Sequence, residues 1–189
     1  MRIAIFGGAF DPVHNGHLAI AREARRAFGL DRVLLTPAGN PPHKRTDAPF
    51  ADRLRMAELA VEGMEGVEAS DLEAGEAPSY SIDTIERMRA RLDASDELHF
   101  LIGADAFGEI RTWRRWREVI AAVEFLVVSR PGHDYETPAG ARVRRLEKLA
   151  LDVSSSEIRR ALSTPGAKVE APDRVTRYIR ERRLYGAAE

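Results

Sequence analysis

Short, almost wholly apolar runs recur along this chain, and between them lie segments whose apolar residues fall at helical spacing. RIAIF (2–6), RVLLTPA (32–38), LHFLIGAD (98–105) and EFLVVS (124–129) read as strands covered on both faces, the pattern of a parallel sheet. VEASDLEA (67–74) is a weaker strand. From His17 the period changes: Ile20, Ala21, Ala24, Ala27 and Phe28 recur at helical spacing with charged residues between them, and Gly29 is a natural stop. The same spacing predicts helices over 52–64, 81–92, 107–122, 155–163 and 172–184. VRRLEKLALDV (143–153) fits a strand or a helix. Strands alternating with helices in this way predict an α/β fold: a Rossmann-like, doubly wound parallel sheet with a small C-terminal helical appendage. The 189 residues suit a single domain over 1–189, with the sheet core in about 1–153 and the closing helices in about 154–189.

Composition narrows the class. Hydrophobic residues make up 44% of the chain, enough for a sizeable core. Lysine and arginine (29) nearly balance aspartate and glutamate (30), so bulk charge points to neither a nucleic-acid nor a membrane partner. Arg174, Arg177 and Arg180 read as a solvated helix face. There are no cysteines, which excludes disulfides and thiolate metal sites. No apolar stretch approaches the roughly 20 residues that span a bilayer. The opening MRIAIFGGAFDP is too short in its apolar run for a signal peptide. A soluble, cytoplasmic protein is expected; whether it forms a homo-oligomer is left open.

The chemistry is concentrated in GGAFDPVHNGHLAIA (7–21). Ligands of open parallel sheets bind beyond the carboxyl ends of the strands, and Gly7-Gly8 stands at such an end. Without Cβ atoms the backbone can approach a phosphate and offer its N–H groups. The helix that follows adds free N–H groups and a partial positive charge. His14 and His17 fall at or before its first turn, placed to donate to phosphoryl oxygens. A tight structural turn with two surface histidines fits a bare G-G or H-x-x-H equally well. No GK[ST] follows, the G-x-G-x-x-G spacing is absent, and H-N-G-H lacks the zincin pair, so metal binding by these histidines alone is not expected.

The combination resembles a known family. GGAFDPVHNGH matches the GGxFDPxHxGH form of the nucleotidylyltransferase signature, and VSSSEIRR (153–160) resembles the superfamily's ISSTxIR motif. Between them NPPHK (40–44), RLRMAELA (53–60), APSYSIDTI (77–85), LIGADAF (101–107), TWRRWREVI (112–120) and VVSRPG (127–132) resemble the bacterial nicotinate-nucleotide adenylyltransferases, a likeness that runs to YIRERRLYG (178–186).

The resemblance implies a reaction: the 5′-phosphate of nicotinate mononucleotide attacks the α-phosphorus of ATP directly, giving deamido-NAD and pyrophosphate. It implies catalytic roles for His14, His17, Lys44 and Arg159. Either histidine could act as a cationic donor, since a polyphosphate neighbour favours the charged form. ATP would be bound by Gly7, Gly8, Ala9, Phe10, Gly103, Asp105, Ser155 and Ser156 together with His14, His17 and Arg159. The mononucleotide would be bound by Lys44, Tyr80, Ser81, Thr84 and Trp113, with Trp113 stacked on the pyridine ring and backbone N–H groups near Ser81 and after Trp113 on its carboxylate. Magnesium is expected with ATP, held by phosphate oxygens and water.

The residues alone leave alternatives. Ser154 and Glu157 have capping-box spacing. Asp105 suits a helix cap as well as a ribose. Trp113 and Trp116 fit a core, Lys44 a solvated loop. Spacing does not separate Arg159 from Arg160; the motif favours Arg159. Ala9 replaces the usual Thr or Ser, Ser156 the commoner Thr, and Arg114 a frequent aromatic. A sister enzyme using nicotinamide mononucleotide or phosphopantetheine, or a nucleotide-binding regulator without turnover, remains the alternative.

Overall fold

The alternation inside the first apolar run sets up a two-sided core. In the computed structural model, which describes residues 1–42, 45–129, 134–147 and 153–187, that run forms strand β1 (Arg2–Gly8). Ala4 and Phe6 point to one face and join Leu18, Met56, Val175 and Ile179. Ile3 and Ile5 point to the other and join Ile85, Phe107 and Ile120. This is the period-2 geometry of a strand with apolar layers on both sides.

The remaining strands are β2 (Arg32–Pro37), β3 (Val67–Ala69), β4 (Glu97–Gly103), β5 (Glu124–Ser129) and β6 (Arg142–Glu147). Among the described residues they form one six-stranded sheet in the order β3-β2-β1-β4-β5-β6, with every pair parallel. The chain order reverses between β1 and β4. A crevice opens beyond the carboxyl ends of the strands at such a switch point. Helices α1 (Asn15–Phe28), α2 (Phe50–Val61), α6 (Ser155–Leu162) and α7 (Asp173–Glu181) cover one face; α3 (Ser81–Arg89), α4 (Ala104–Gly108) and α5 (Trp116–Ala122) cover the other. No helix among the described residues is long and apolar enough to cross a membrane.

Three expectations change. The ambiguous segment from 143 is a strand as far as Glu147; residues 148–152 lie outside the described ones. The helix expected over 107–122 is broken into α4, a 3-10 turn (Ile110–Thr112) and α5. Trp113 is extended (ψ 145°), and Arg115 adopts a left-handed conformation (φ 51°). The break takes Trp113 off the helix line and sets its ring edge-on to Phe100, with centroids 6.0 Å apart. Arg115 is held at the bend by Glu86 and Glu118. The last helix stops at Glu181 rather than 184. Left-handed Arg183 and Tyr185 (φ 53° and 59°) then turn the chain back toward the sheet.

Candidate active site

At the carboxyl end of β1 the turn into α1 is built on two histidines. His14 is the N-cap residue and His17 occupies the third helical position. The His17 backbone N–H donates to His14 Nδ1 (3.3 Å), and the His14 N–H donates to His17 Nδ1 (3.2 Å). This is a capping box with imidazoles in place of the usual hydroxyl and carboxylate. The two rings stack 3.6 Å apart. Each Nδ1 accepts, so the ring proton of the neutral form sits on Nε2 and makes it a donor. Charging either ring would put a hydrogen on Nδ1 against a backbone N–H and break the cap.

Burial works the same way. His14 is 6% exposed, and desolvation pushes its pKa down to about 4. Burial and the cap both favour the neutral form of His14, which presents an Nε2–H donor. Gly16 is required by this cap, because a Cβ there would stand 2.9 Å from His14 Nδ1.

Phe10 has left-handed backbone (φ 47°) and is buried. Its ring packs edge-on against Phe6 (5.4 Å) and His17 (4.8 Å). Its expected contact with ATP is thus limited to backbone; the side chain is a wedge beneath the histidines. A Cβ on Gly8 would stand 3.1 Å from this ring, and one on Gly7 3.3 Å from Phe100. That explains both glycines sterically, in addition to any ligand.

The serine-rich segment far along the chain docks onto the same turn. Ser154 caps α6 in a capping box with Glu157. Ser155 Oγ donates to the Pro12 carbonyl (3.0 Å), and Arg159 Nη1 donates to the Asp11 carbonyl (2.6 Å). Arg159 also reaches Ser156 Oγ (3.4 Å) and pairs with Asp47 (2.6 Å). Arg160 turns instead to the Ser156 carbonyl of its own helix. The structure thus brings Ser155, Ser156 and Arg159 onto the backbone two to three residues before His14.

A cleft runs from this turn across the sheet. One part is lined by Gly7, Gly8, Ala9, Glu73, Ser81 and Trp113. A second part, of about 490 Å³, continues past Trp113 to Tyr80 and Arg114. The Arg114 guanidinium, which replaces a frequent aromatic, lies 4.6 Å from the centre of the Tyr80 ring, and both residues line the cleft. Ser81 opens α3, whose first N–H groups have no helical acceptor. Thr84 does not line the cleft as expected. It is buried, and its hydroxyl donates to Glu73 Oε1 (2.7 Å) and the Tyr80 carbonyl (3.2 Å).

Gly103 is the N-cap residue of α4 and Asp105 lies in that helix's first turn, so the cap suggested for Asp105 belongs to its neighbour. Both are exposed. Lys44, with His43, lies outside the described residues.

Three residues without an assigned role turn out to hold the cleft together. Arg53 is almost fully buried and donates to the carbonyls of Ala48 (3.1 Å), Ala9 (2.8 Å) and Gly39 (3.2 Å). It ties the β1 turn to the loop after β2. Burial lowers its pKa, and the nearby Asp11 and Glu73 charges oppose that. Asp11 is buried and accepts from the N–H groups of Asp47 (2.6 Å) and Ala48 (3.1 Å) and from the Tyr185 hydroxyl (2.6 Å). Burial first, and then the Asp11 carboxylate, push the Tyr185 phenol up. Asp11 was visible inside the GGxFDP signature. Arg53 opens the RLRMAELA segment that resembles the family, but its spacing on an amphipathic helix alone did not set it apart from a solvated arginine.

Comparison with known proteins places the chain by family and by fold. The cytidylyltransferase-like family model matches residues 5–161. The chain is 59% identical to the "probable nicotinate-nucleotide adenylyltransferase" of Solibacter usitatus over 98% of this chain and 100% of that one. It is 39% identical to the protein of the same name from Pelobacter propionicus, over 98% of each. Among solved structures, a Plasmodium falciparum nicotinic acid mononucleotide adenylyltransferase complexed with NaAD superposes with a TM-score of 0.81 at 17% identity, over 99% of this chain and 98% of that one. At that identity the likeness is one of fold.

Proposed function

The chain belongs to the nicotinate-nucleotide adenylyltransferases, within the cytidylyltransferase-like family, and from that membership we propose how its residues carry out adenylyl transfer. The enzyme joins the adenylyl group of ATP to nicotinate mononucleotide, giving deamido-NAD and pyrophosphate. The docking of Arg159 and Ser155 on the Asp11–Pro12 backbone, beside the histidine-capped turn, is the observation that carries the reading.

The attacking phosphate is already ionised at neutral pH, so the protein needs to position two polyanions and stabilise developing charge rather than supply a strong base. His14 offers a fixed Nε2–H to the phosphates of ATP. The glycine turn, Ala9 through its backbone, Ser155, Ser156 and Arg159 complete the grip. Arg159's planar fork suits two phosphate oxygens at once. In this reading the helices from 154 onward close the ATP site of one domain rather than forming a separate unit. Gly103 and Asp105 take the adenosine side. The family resemblance also assigns Lys44 of NPPHK to the mononucleotide. Each lost transition-state donor costs about 10²–10³ in rate.

Trp113 and the Tyr80–Arg114 pair flank the nicotinate. The N–H groups at the start of α3 donate to its carboxylate, whereas a nicotinamide would turn its own NH₂ toward them. Magnesium arrives on ATP, its ligands being phosphate oxygens and water. The reaction belongs in the cytoplasm, since neither polyanionic substrate crosses a membrane unaided.

Pyrophosphate release with ATP and each acceptor in turn tests the assignment. Nicotinate mononucleotide is expected to be preferred over nicotinamide mononucleotide and phosphopantetheine, with deamido-NAD as the product. A preference for the amide would keep the chemistry and overturn the acceptor. ATP binding without turnover on any acceptor would favour a regulator.

A further inference from the structure

Glu73 is out of keeping with the cleft it lines. Both substrates of the proposed reaction carry phosphate, and a carboxylate placed beside phosphate repels it. Yet the side chain is held there from behind. The buried Thr84 hydroxyl donates to its Oε1 at 2.7 Å. Its main chain is fixed as well. A Cβ on Gly39 would stand 1.9 Å from the Glu73 carbonyl oxygen, so the loops after β2 and β3 touch backbone to backbone. Arg87 Nη1 donates to the carbonyl of the preceding Leu72 (2.9 Å).

A carboxylate accepts hydrogen bonds through two oxygens and about four lone-pair directions. Among the described residues the Thr84 hydroxyl donates to one of them and the Arg53 guanidinium lies near enough to feel the charge, which leaves lone pairs for donors in the cleft. A pyridine mononucleotide has few donors. Its ring nitrogen is quaternary and has no hydrogen, and a ring carboxylate only accepts. The phosphate is repelled. The ribose 2′- and 3′-hydroxyls are what remain. Glu73 lines the same part of the cleft as Trp113, the residue assigned above to the nicotinate, and as the Gly7–Ala9 turn. We propose that Glu73 recognises the ribose hydroxyls of the acceptor mononucleotide, with Thr84 as a positioning residue that aims it. The proposal rests on the acceptor reading above and specifies which part of that molecule the cleft inspects.

The test is a cycle in which protein and ligand are both truncated. Steady-state kinetics are measured for wild type, Glu73→Gln, Glu73→Ala and Thr84→Val. The acceptors are nicotinate mononucleotide and its 2′-deoxy and 3′-deoxy analogues, at saturating ATP. For wild type, removing the contacted hydroxyl should lower kcat/KM about 10- to 100-fold, the range for a hydrogen bond to a charged group. Glu73→Ala should lose a similar factor on the full substrate and nothing further on that deoxy analogue. Glu73→Gln keeps the shape but replaces a charged acceptor with a neutral amide, and should lose part of the discrimination. Thr84→Val should raise the KM for the mononucleotide severalfold with kcat within twofold.

Undiminished discrimination by both Glu73 variants would overturn the proposal. So would an effect confined to the KM for ATP. The cycle is run on whichever mononucleotide the wild type accepts. A wrong acceptor would therefore show in wild type alone, and a wrong role for Glu73 only in the variants.

Discussion

One charge in this cleft, that of His14, differs from what its residue type suggests in water. His14 is buried and neutral, with a pKa near 4 against the ordinary 6.5. A folded-state pKa below the unfolded one means that the contribution to stability is fully present above about pH 6.5. It is lost as pH falls from there through 4, and amounts to about 3 kcal/mol. Urea midpoints measured from pH 7 to 4 should fall in wild type. They should fall less in His14→Asn, whose side-chain oxygen can cap the helix without titrating. His99 is shifted down by its own burial and contributes the same sign in both proteins, so the difference between them isolates His14. The two histidines were legible from their spacing after Gly7-Gly8. Their protonation was not, because it depends on a reciprocal cap and on burial that only the folded backbone supplies. Glu73 and Arg53 escaped for a similar reason: a carboxylate and a guanidinium that face a cleft or a cluster of carbonyls look solvated until distant loops are brought against them.

Among the elements, α1 shows two local rules in opposition. Alanine is favoured over glycine inside a helix by about 1 kcal/mol. At Gly16 the added Cβ would displace the His14 ring from its cap, a loss of about 1 kcal/mol. Gly16→Ala should therefore leave the melting temperature within a few degrees of wild type while kcat falls about 10- to 100-fold, a combination that calorimetry and single-turnover rates would expose together. The element pattern itself was largely readable. The buried strands and the amphipathic helices stand close to where apolar period placed them. The segment 107–122 did not, because its period is helical throughout. What breaks it is tertiary: Trp113 leaves the helix line to pack on Phe100, and Arg115 is pinned at the bend by Glu86 and Glu118. Arg142–Glu147 became a strand by pairing with β5, a partner that no local window contains.

Across the molecule, alternation was enough to predict a doubly wound parallel sheet. The strand order, and the return of the tail to the far end of the sheet, depend on contacts between remote parts of the chain. Tyr185 is the furthest-reaching of these, donating to Asp11, which in turn holds the Asp47 and Ala48 N–H groups. Tyr185→Phe removes one donor from a buried carboxylate. It should cost about 1–3 kcal/mol in denaturant unfolding and speed protease cleavage of the loop between β2 and α2. Unchanged cleavage there would mean that the tail does not restrain the loop. The hydroxyl and the carboxylate it fastens are 174 residues apart along the chain. A polypeptide still being translated can build its sheet long before it holds that fastening. The ribosome must deliver the tail before the cleft is locked, and chains stalled short of it would carry a complete set of strands around a slack mouth.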